Sequence, residues 1–489
     1  MMPQPIGRRR RSIALVAAVL LAAWFSGPVS GQPGRTPADP ALIVILVIDQ
    51  MRADYVDRFQ RDWTGGLKRI FTSGARFTNA AYPYLATYTC AGHATIGTGT
   101  LPYVHGIFQN EWYDRERKGN MPCTDDPGAA PVGYTGRPGS YGPRLLKVPT
   151  FADEMRAQRS SRVVSLALKA RSAIMLAGHG GDAVSWMTGP NDGWQTSTAF
   201  AAAPVPAVKA YVEAHPVEAD YGRTWTLALP PARYAEPDDG EAEYPRPGWS
   251  RTFPHPLVDP TGAPGKQFYD LWQHSPFADQ YVARMAAGLV DAFELGQRST
   301  TDVLLVSFST PDLVGHQYGP DSLEIHDIYV RLDRTIGDLL DHLDARVGRD
   351  RWVMAVSADH GVTPIPEQQA RRGLDVGRLR SATVRGIVQA ALERAWGPGE
   401  YAARVTTNDV YFHPGVYDRL RADRAAFDGV TKALLSQPGI ERVLRSEEVE
   451  GQIASADPFV RAAALSYVRG HSGDLILVTR PGWMFATFA

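Results

Sequence analysis

The chain has 489 residues, 44% of them hydrophobic, and a formal net charge of −1. That is enough apolar material for one large α/β domain with insertions, or for two domains. No basic run follows Arg11 beyond scattered pairs, which argues against a nucleic-acid surface. Only two cysteines, Cys90 and Cys123, are present, so the fold cannot rest on a disulfide framework. An even count permits one bond, whose geometry sequence alone does not supply.

In chain order, Arg8 to Arg11 form a basic region, residues 13–25 an apolar one, and Val29-Ser30-Gly31 a small-residue cleavage site. This is the pattern of a secretory signal peptide over 1–31. No later run approaches the roughly 18 apolar residues that a membrane span needs. The expected product is therefore exported, periplasmic or secreted, with no membrane attachment after cleavage. A Pro/Gly-rich linker follows at 32–40, then a strand at 43–48 that runs into Asp49, and an amphipathic helical pattern to Gly74. Residues 89–99 read as a turn entering a helix that ends at a glycine. A second strand at 162–168 leads into Lys169-Ala170-Arg171. Residues from about 203 to 268 are rich in Pro, Gly and aromatics with little periodicity, so an irregular surface insertion is expected. A helix at 277–295 precedes a strand at 303–308, which leads to Asp312 and His316. Another helix spans 323–347. The strand at 352–356 leads to Asp359-His360-Gly361. From about 368 to 466, helices and a short strand at 405–412 form a smaller subdomain.

Continuous Val/Ile/Leu runs predict buried parallel strands, and open α/β sheets bind ligands at the carboxyl ends of such strands. Asp49, Asp312, His316, Asp359 and His360 then converge on one sheet edge as hard or borderline metal ligands. Alone, Asp49 suits a helix N-cap equally well. Thr89 stands at a helix N-terminus, where the dipole favours anions. Its hydroxyl becomes a competent nucleophile when a cation binds its oxygen. His93, one turn later, reads as a structural hydrogen-bonder. Lys169 and Arg171 share a face of an extended segment and suit a phosphoryl group; a solvated charged edge fits the spacing too. Asn110 is a neutral donor after a glycine turn.

At these residues the chain resembles the alkaline phosphatase superfamily. The similarity is to its bacterial phosphate monoesterases with a threonine nucleophile, relatives of the nucleotide pyrophosphatase/phosphodiesterases. The resemblance is carried by Val47-Ile-Asp49-Gln-Met-Arg-Ala-Asp-Tyr55, Thr87-Tyr-Thr89 with His93, and His105-Gly-Ile with Asn110. Pro311-Asp312 with Gly315-His316, Ala358-Asp359-His360-Gly361 and Pro481-Gly-Trp483 extend it along the chain. It implies a three-layer α/β sandwich with a mostly parallel central sheet and inserted cap segments, occupying 41–489. It also implies two zinc ions, the first held by Asp49, Thr89, Asp359 and His360, the second by Asp312 and His316. Thr89 would form a phospho-threonine intermediate, and Asn110, Lys169 and Arg171 would contact the phosphoryl group of small organic phosphates.

The Leu168-Lys-Ala-Arg171 pattern favours monoesters over diesters, because a dianionic monoester carries more charge for cationic donors to meet. Cys90-Ala-Gly-His lacks the Pro and Arg that follow a sulfatase nucleophile. The family pattern continues past Gly-Trp into a Thr-His-Gly stretch whose histidine completes the second zinc site. This chain ends at Ala489, so the expectation is an incomplete second site, an exposed sheet edge and impaired turnover. His471 precedes a strand and is not expected to substitute. A phosphodiesterase or nucleotide pyrophosphatase, or a phosphate- and metal-binding protein without turnover, are the alternative readings.

Overall fold

In the computed structural model the described residues are 39–134, 139–187 and 193–486. The signal peptide expected at 1–31 and most of the linker at 32–40 lie outside the described residues. Seven strands form the main sheet: β1 (Leu42–Ile48), β4 (Pro131–Gly133), β5 (Val163–Ala167), β6 (Ala183–Met187), β7 (Trp194–Ser197), β10 (Asp302–Phe308) and β11 (Trp352–Ser357). Their order is β11-β1-β10-β5-β6-β7-β4. The five strands from β11 to β6 are parallel neighbours, and β7 and β4 add an antiparallel end.

The sequence of β1 explains its central place. Leu42, Val44, Leu46 and Ile48 pack into one core cluster, whereas Val47 joins Val163, Val303 and Leu305 in another. A strand buried on both faces needs apolar residues at both parities, which is why it reads as a continuous run. Two long helices, α4 (Pro276–Ala292) and α6 (Leu323–Arg346), cover the first face through Val282, Leu289, Ile336 and Leu340. The helix α3 (Ala170–Ala177) covers the second through Ala173, Ile174 and Leu176. The result is helix–sheet–helix layering. The register pairs Ile48 with Phe308 and Val47 with Ser357, so β1, β10 and β11 end level.

Residues 203–268 contain a helix (Pro206–Ala214) and a two-stranded ribbon, β8 (Thr224–Trp225) with β9 (His255–Pro256). This stretch is tied to α6 by Asp327, whose buried carboxylate accepts from Trp225 Nε1 and Ala228 N, each at 2.6 Å. A hairpin, β2 (Glu111–Asp114) and β3 (Gly119–Pro122), follows Asn110.

A second, antiparallel sheet has the order β13-β14-β16-β15, with β13 (Ala402–Thr406), β14 (Asp409–Phe412), β15 (Ile440–Arg445) and β16 (Leu475–Thr479). Two expectations change here. The single strand at 405–412 is a hairpin, because Thr407 takes φ 47° and reverses the chain between Thr406 and Asp409. The smaller unit also runs past 466, since β16 supplies the strand between β14 and β15. A parallel pair, β12 (Gly377–Arg380) and β17 (Trp483–Ala486), packs beside it.

Candidate active site

Asp49 leaves the sheet directly after β1, and its N–H donates to Phe308 O at 3.0 Å. The next residue, Gln50, takes φ 66° and turns the chain back over the sheet edge. Its backbone N–H donates to Asp359 Oδ1 at 3.0 Å, and its side-chain Nε2 donates to Asp312 Oδ1 at 2.7 Å. One residue thus spans the two carboxylates that arrive after β10 and β11. Asp312 lies in the first turn of α5 (Thr310–Tyr318), and His316 lies one turn later with Nε2 3.1 Å from Asp312 Oδ1. The start of α5 is held by Asp279 of α4, whose carboxylate accepts from Ser309 N and Thr310 N, both at 3.1 Å.

One ligand atom each from Asp49, Asp312 and His360 lie within 4.8 Å of one another. His360 Nε2 is also 3.7 Å from Asp359 and 3.3 Å from Thr89 Oγ1. Asp49 and Asp359 are fully buried. Asp49 Oδ1 has no hydrogen-bond partner among the described residues, and Asp359 Oδ2 lies 3.2 Å from His93 Nδ1. Three buried carboxylates in one place demand positive charge. Burial first, then Asp312 and Asp359, pushes Asp49 up to about 7. Burial would raise Asp312 too, but Lys169 and His316 more than offset it and hold it well below the usual range. Asp359 is likewise lowered, by His360 and His93 against burial. The Lys169 ammonium donates to Asp49 Oδ2 at 2.6 Å and to Asp312 Oδ2, so it sits where these acids need a cation. The unpartnered Asp49 oxygen, the Asp312 carboxylate and the His360 nitrogen form a donor set that fits a divalent metal such as zinc.

Thr89 opens the helix α2 (Thr89–Thr98), with Tyr88 extended at the N-cap. The helix approaches the loop after β11 closely: a Cβ at Gly92 would fall 2.1 Å from Asp359 O. His93, fully buried, meets Thr89 O at 2.8 Å through Nδ1 and Ser307 Oγ of β10 at 2.8 Å through Nε2. It is a structural hydrogen-bonder, as its spacing suggested. Asn110 Oδ1 accepts from Cys90 N at 2.8 Å, which leaves its Nδ2 as the outward donor. Cys90 and Cys123 form a disulfide, and Cys123 N donates to Asn110 O at 2.9 Å. The Asn110 hairpin is therefore stapled to the residue after Thr89.

Lys169 is the N-cap of α3 and Arg171 lies in its first turn. The two do not share an extended segment, because the backbone turns helical at Ala170. The Arg171 Nε is buried without a partner, and its guanidinium makes no hydrogen bond or ion pair among the described residues. A half-buried guanidinium with an unpartnered Nε, close enough to act on the Lys169 ammonium, fits an anionic ligand.

A family profile described as type I phosphodiesterase / nucleotide pyrophosphatase matches residues 43–488. The chain belongs to that family. Among its relatives, the alkaline phosphatase PafA of Elizabethkingia meningoseptica is 30% identical over 474 residues, covering 94% of this chain and 85% of that protein. The alkaline phosphatase PhoV of Synechococcus elongatus is 29% identical over 464 residues, covering 92% and 82%. The crystal structure of wild-type PafA superposes with a TM-score of 0.81 at 28% identity, over 91% of this chain and 86% of that one. The fold is the PafA-like α/β sandwich of this family. Nothing in the sequence singled out Gln50 or Asp279. Gln50 follows Asp49 directly, but its role depends on a positive φ, and Asp279 lies more than thirty residues before the helix it caps.

Proposed function

We propose that the chain is an exported, zinc-dependent phosphate monoester hydrolase that works through a phospho-threonine at Thr89. The observation that carries this reading is the convergence of Asp49, Asp312 and His360 within 4.8 Å, with Thr89 Oγ1 3.3 Å from His360 Nε2. Asp49, Thr89, Asp359 and His360 would hold one ion, and Asp312 and His316 the other. Two such ions lower the pKa of a bound hydroxyl and stabilise charge on attacking and leaving oxygens. The alkaline phosphatase names of PafA and PhoV support the monoesterase reading, and the signal-peptide pattern at 1–31 supports export.

The chain's own residues supply the rest. Thr89 gives up its hydroxyl proton to solvent, its Oγ attacks phosphorus, the bond to the leaving alcohol breaks, and the leaving alkoxide takes a proton from solvent. Water then attacks the phospho-threonine, the bond from phosphorus to Thr89 Oγ breaks, a proton returns to that oxygen, and inorganic phosphate leaves. Asn110 Nδ2 and the Arg171 guanidinium donate to non-bridging oxygens. Lys169 adds its ammonium once Asp49 and Asp312 are compensated by an ion. Three donors, two of them cationic, suit the dianion of a monoester better than a diester.

The test compares p-nitrophenyl phosphate with bis(p-nitrophenyl) phosphate as substrates. The monoester is expected to be the better one. In the double variant Lys169→Ala with Arg171→Ala, kcat/KM for the monoester should fall about 100-fold further than for the diester. A diester preference, or a ratio unmoved by the two substitutions, contradicts the monoesterase reading.

A further inference from the structure

The smaller antiparallel sheet reaches the candidate active site through one buried carboxylate. Asp409 opens β14, is 4% exposed, and lies 300 residues from the partner it holds. Its Oδ2 accepts from Gln109 Nε2 at 2.6 Å, and its Oδ1 accepts from Gly473 N at 2.5 Å. Gly473 packs so tightly on this strand that a Cβ there would fall 2.8 Å from Val410 N. The carboxylate therefore has a fixed seat. Gln109 is 2% exposed, and among the described residues its Oε1 has no partner and Asp409 is the one anchor of its side-chain amide. The residue after Gln109 is Asn110, whose Oδ1 takes the N–H next to Thr89.

We infer that Asp409 is a positioning residue: through Gln109 it sets where Asn110 presents its Nδ2 to the phosphoryl group. A carboxylate in this place loses much of its hydration. Burial pushes its carboxyl up to about 7, so the link rests on its two acceptor oxygens, one on Gln109 and one on Gly473, rather than on full charge. Other contacts of the same unit grip the same walls less directly. Leu85 N donates to Ala462 O at 2.9 Å, Ala86 N donates to Ser466 Oγ at 3.1 Å, and Arg115 pairs with Asp474 at 3.0 Å. None of them touches a neighbour of Asn110 through a buried side chain. The second sheet thus bears on catalysis as well as on stability.

The inference rests on the monoesterase reading, and a double-mutant cycle separates the two. Asp409→Ala, Asp409→Asn, Gln109→Leu and Asn110→Ala are assayed with p-nitrophenyl phosphate in the zinc-loaded full chain, with melting temperature and zinc content measured beside kcat and KM. Asp409→Ala and Gln109→Leu are each expected to lower kcat/KM about tenfold. In the Asn110→Ala background the same changes should cost less than about twofold. Asp409→Asn should recover most of the activity, because Gln109 can turn its unpartnered Oε1 to accept from the new amide. Loss at Asp409 that adds in full to the loss at Asn110, or loss that only tracks melting temperature, overturns the positioning role. If Asp409→Ala does not fold, Gln109→Leu and Asp409→Asn carry the cycle. If Asn110→Ala itself leaves kcat/KM unchanged, or the parent protein does not turn over, the monoesterase reading fails and this inference falls with it.

Discussion

Asp279 illustrates how a residue that contacts no substrate shapes the site. It is 3% exposed, and both carboxylate oxygens serve backbone N–H groups at the start of α5, the helix that carries Asp312 and His316. Burial pushes its carboxyl up to about 7, against those two N–H groups. A folded-state pKa raised above the unfolded value means the folded protein binds the proton more tightly. The associated stability is fully present below about pH 4 and is lost as pH rises through 7. Melting of the metal-free protein should therefore show a fall in Tm between pH 5 and 8 that is shallower in Asp279→Asn. Identical slopes in parent and variant would contradict the assignment. At this scale the sequence pointed to the ionisable candidate ligands, since Asp49, Asp312, His316, Asp359 and His360 all come within eight residues after an apolar run. It did not reveal Gln50, Asp279 or Asp409, which act through backbone conformation or across long stretches of chain.

Among the elements, the Asn110 hairpin depends most on a covalent link. The Cys90–Cys123 disulfide closes a separation of 33 residues and ends beside both Thr89 and Asn110. Loop-closure entropy for such a loop is worth about 3 to 4 kcal/mol. Replacing both cysteines by serine is expected to lower unfolding free energy by about that amount in denaturant titrations. KM for p-nitrophenyl phosphate should rise as Asn110 loses its staple. Unchanged stability would show that the backbone hydrogen bond from Cys123 to Asn110 suffices. The runs of β5 and β10 were legible because burial on both faces leaves no ambiguity, whereas the run at 352–356, expected to be buried, forms the edge strand β11 with Val353 49% exposed. The hairpin at β13–β14 was not, because the two-residue gap Thr407-Asn408 looks like strand until Thr407 adopts a left-handed turn. The pattern from Asp49 to Gly74 also breaks into short helices, Tyr55–Phe59 and Gly66–Ser73. There Asp333 takes N–H groups from Thr64, Gly65 and Lys68 and starts the second helix afresh.

At the scale of the whole molecule, stability and chemistry reside in different layers. Leu305, 1% exposed at the middle of β10, packs with Val47, Ala152, Val163 and Leu176 in the core on one face of the sheet. Leu305→Ala is expected to cost about 2 to 5 kcal/mol of stability while leaving kcat at 25 °C within about twofold. A large drop in kcat without loss of stability would place the strand's packing in the mechanism. The convergence of three strand ends was legible from sequence because parallel topology sends them to one edge. The linkage of the smaller sheet to the Asn110 loop was not, since no local pattern marks a contact across 300 residues.

The central claim is that Thr89 carries the phosphoryl group. The most direct measurement is to incubate the purified protein with p-nitrophenyl phosphate, with and without zinc, quench in acid, and map phosphorylation by peptide mass spectrometry. Turnover that needs zinc, a phosphoryl adduct confined to the peptide holding Thr89, and loss of both in Thr89→Ala are predicted. Zinc-dependent turnover that persists in Thr89→Ala, or an adduct on another residue, would contradict it.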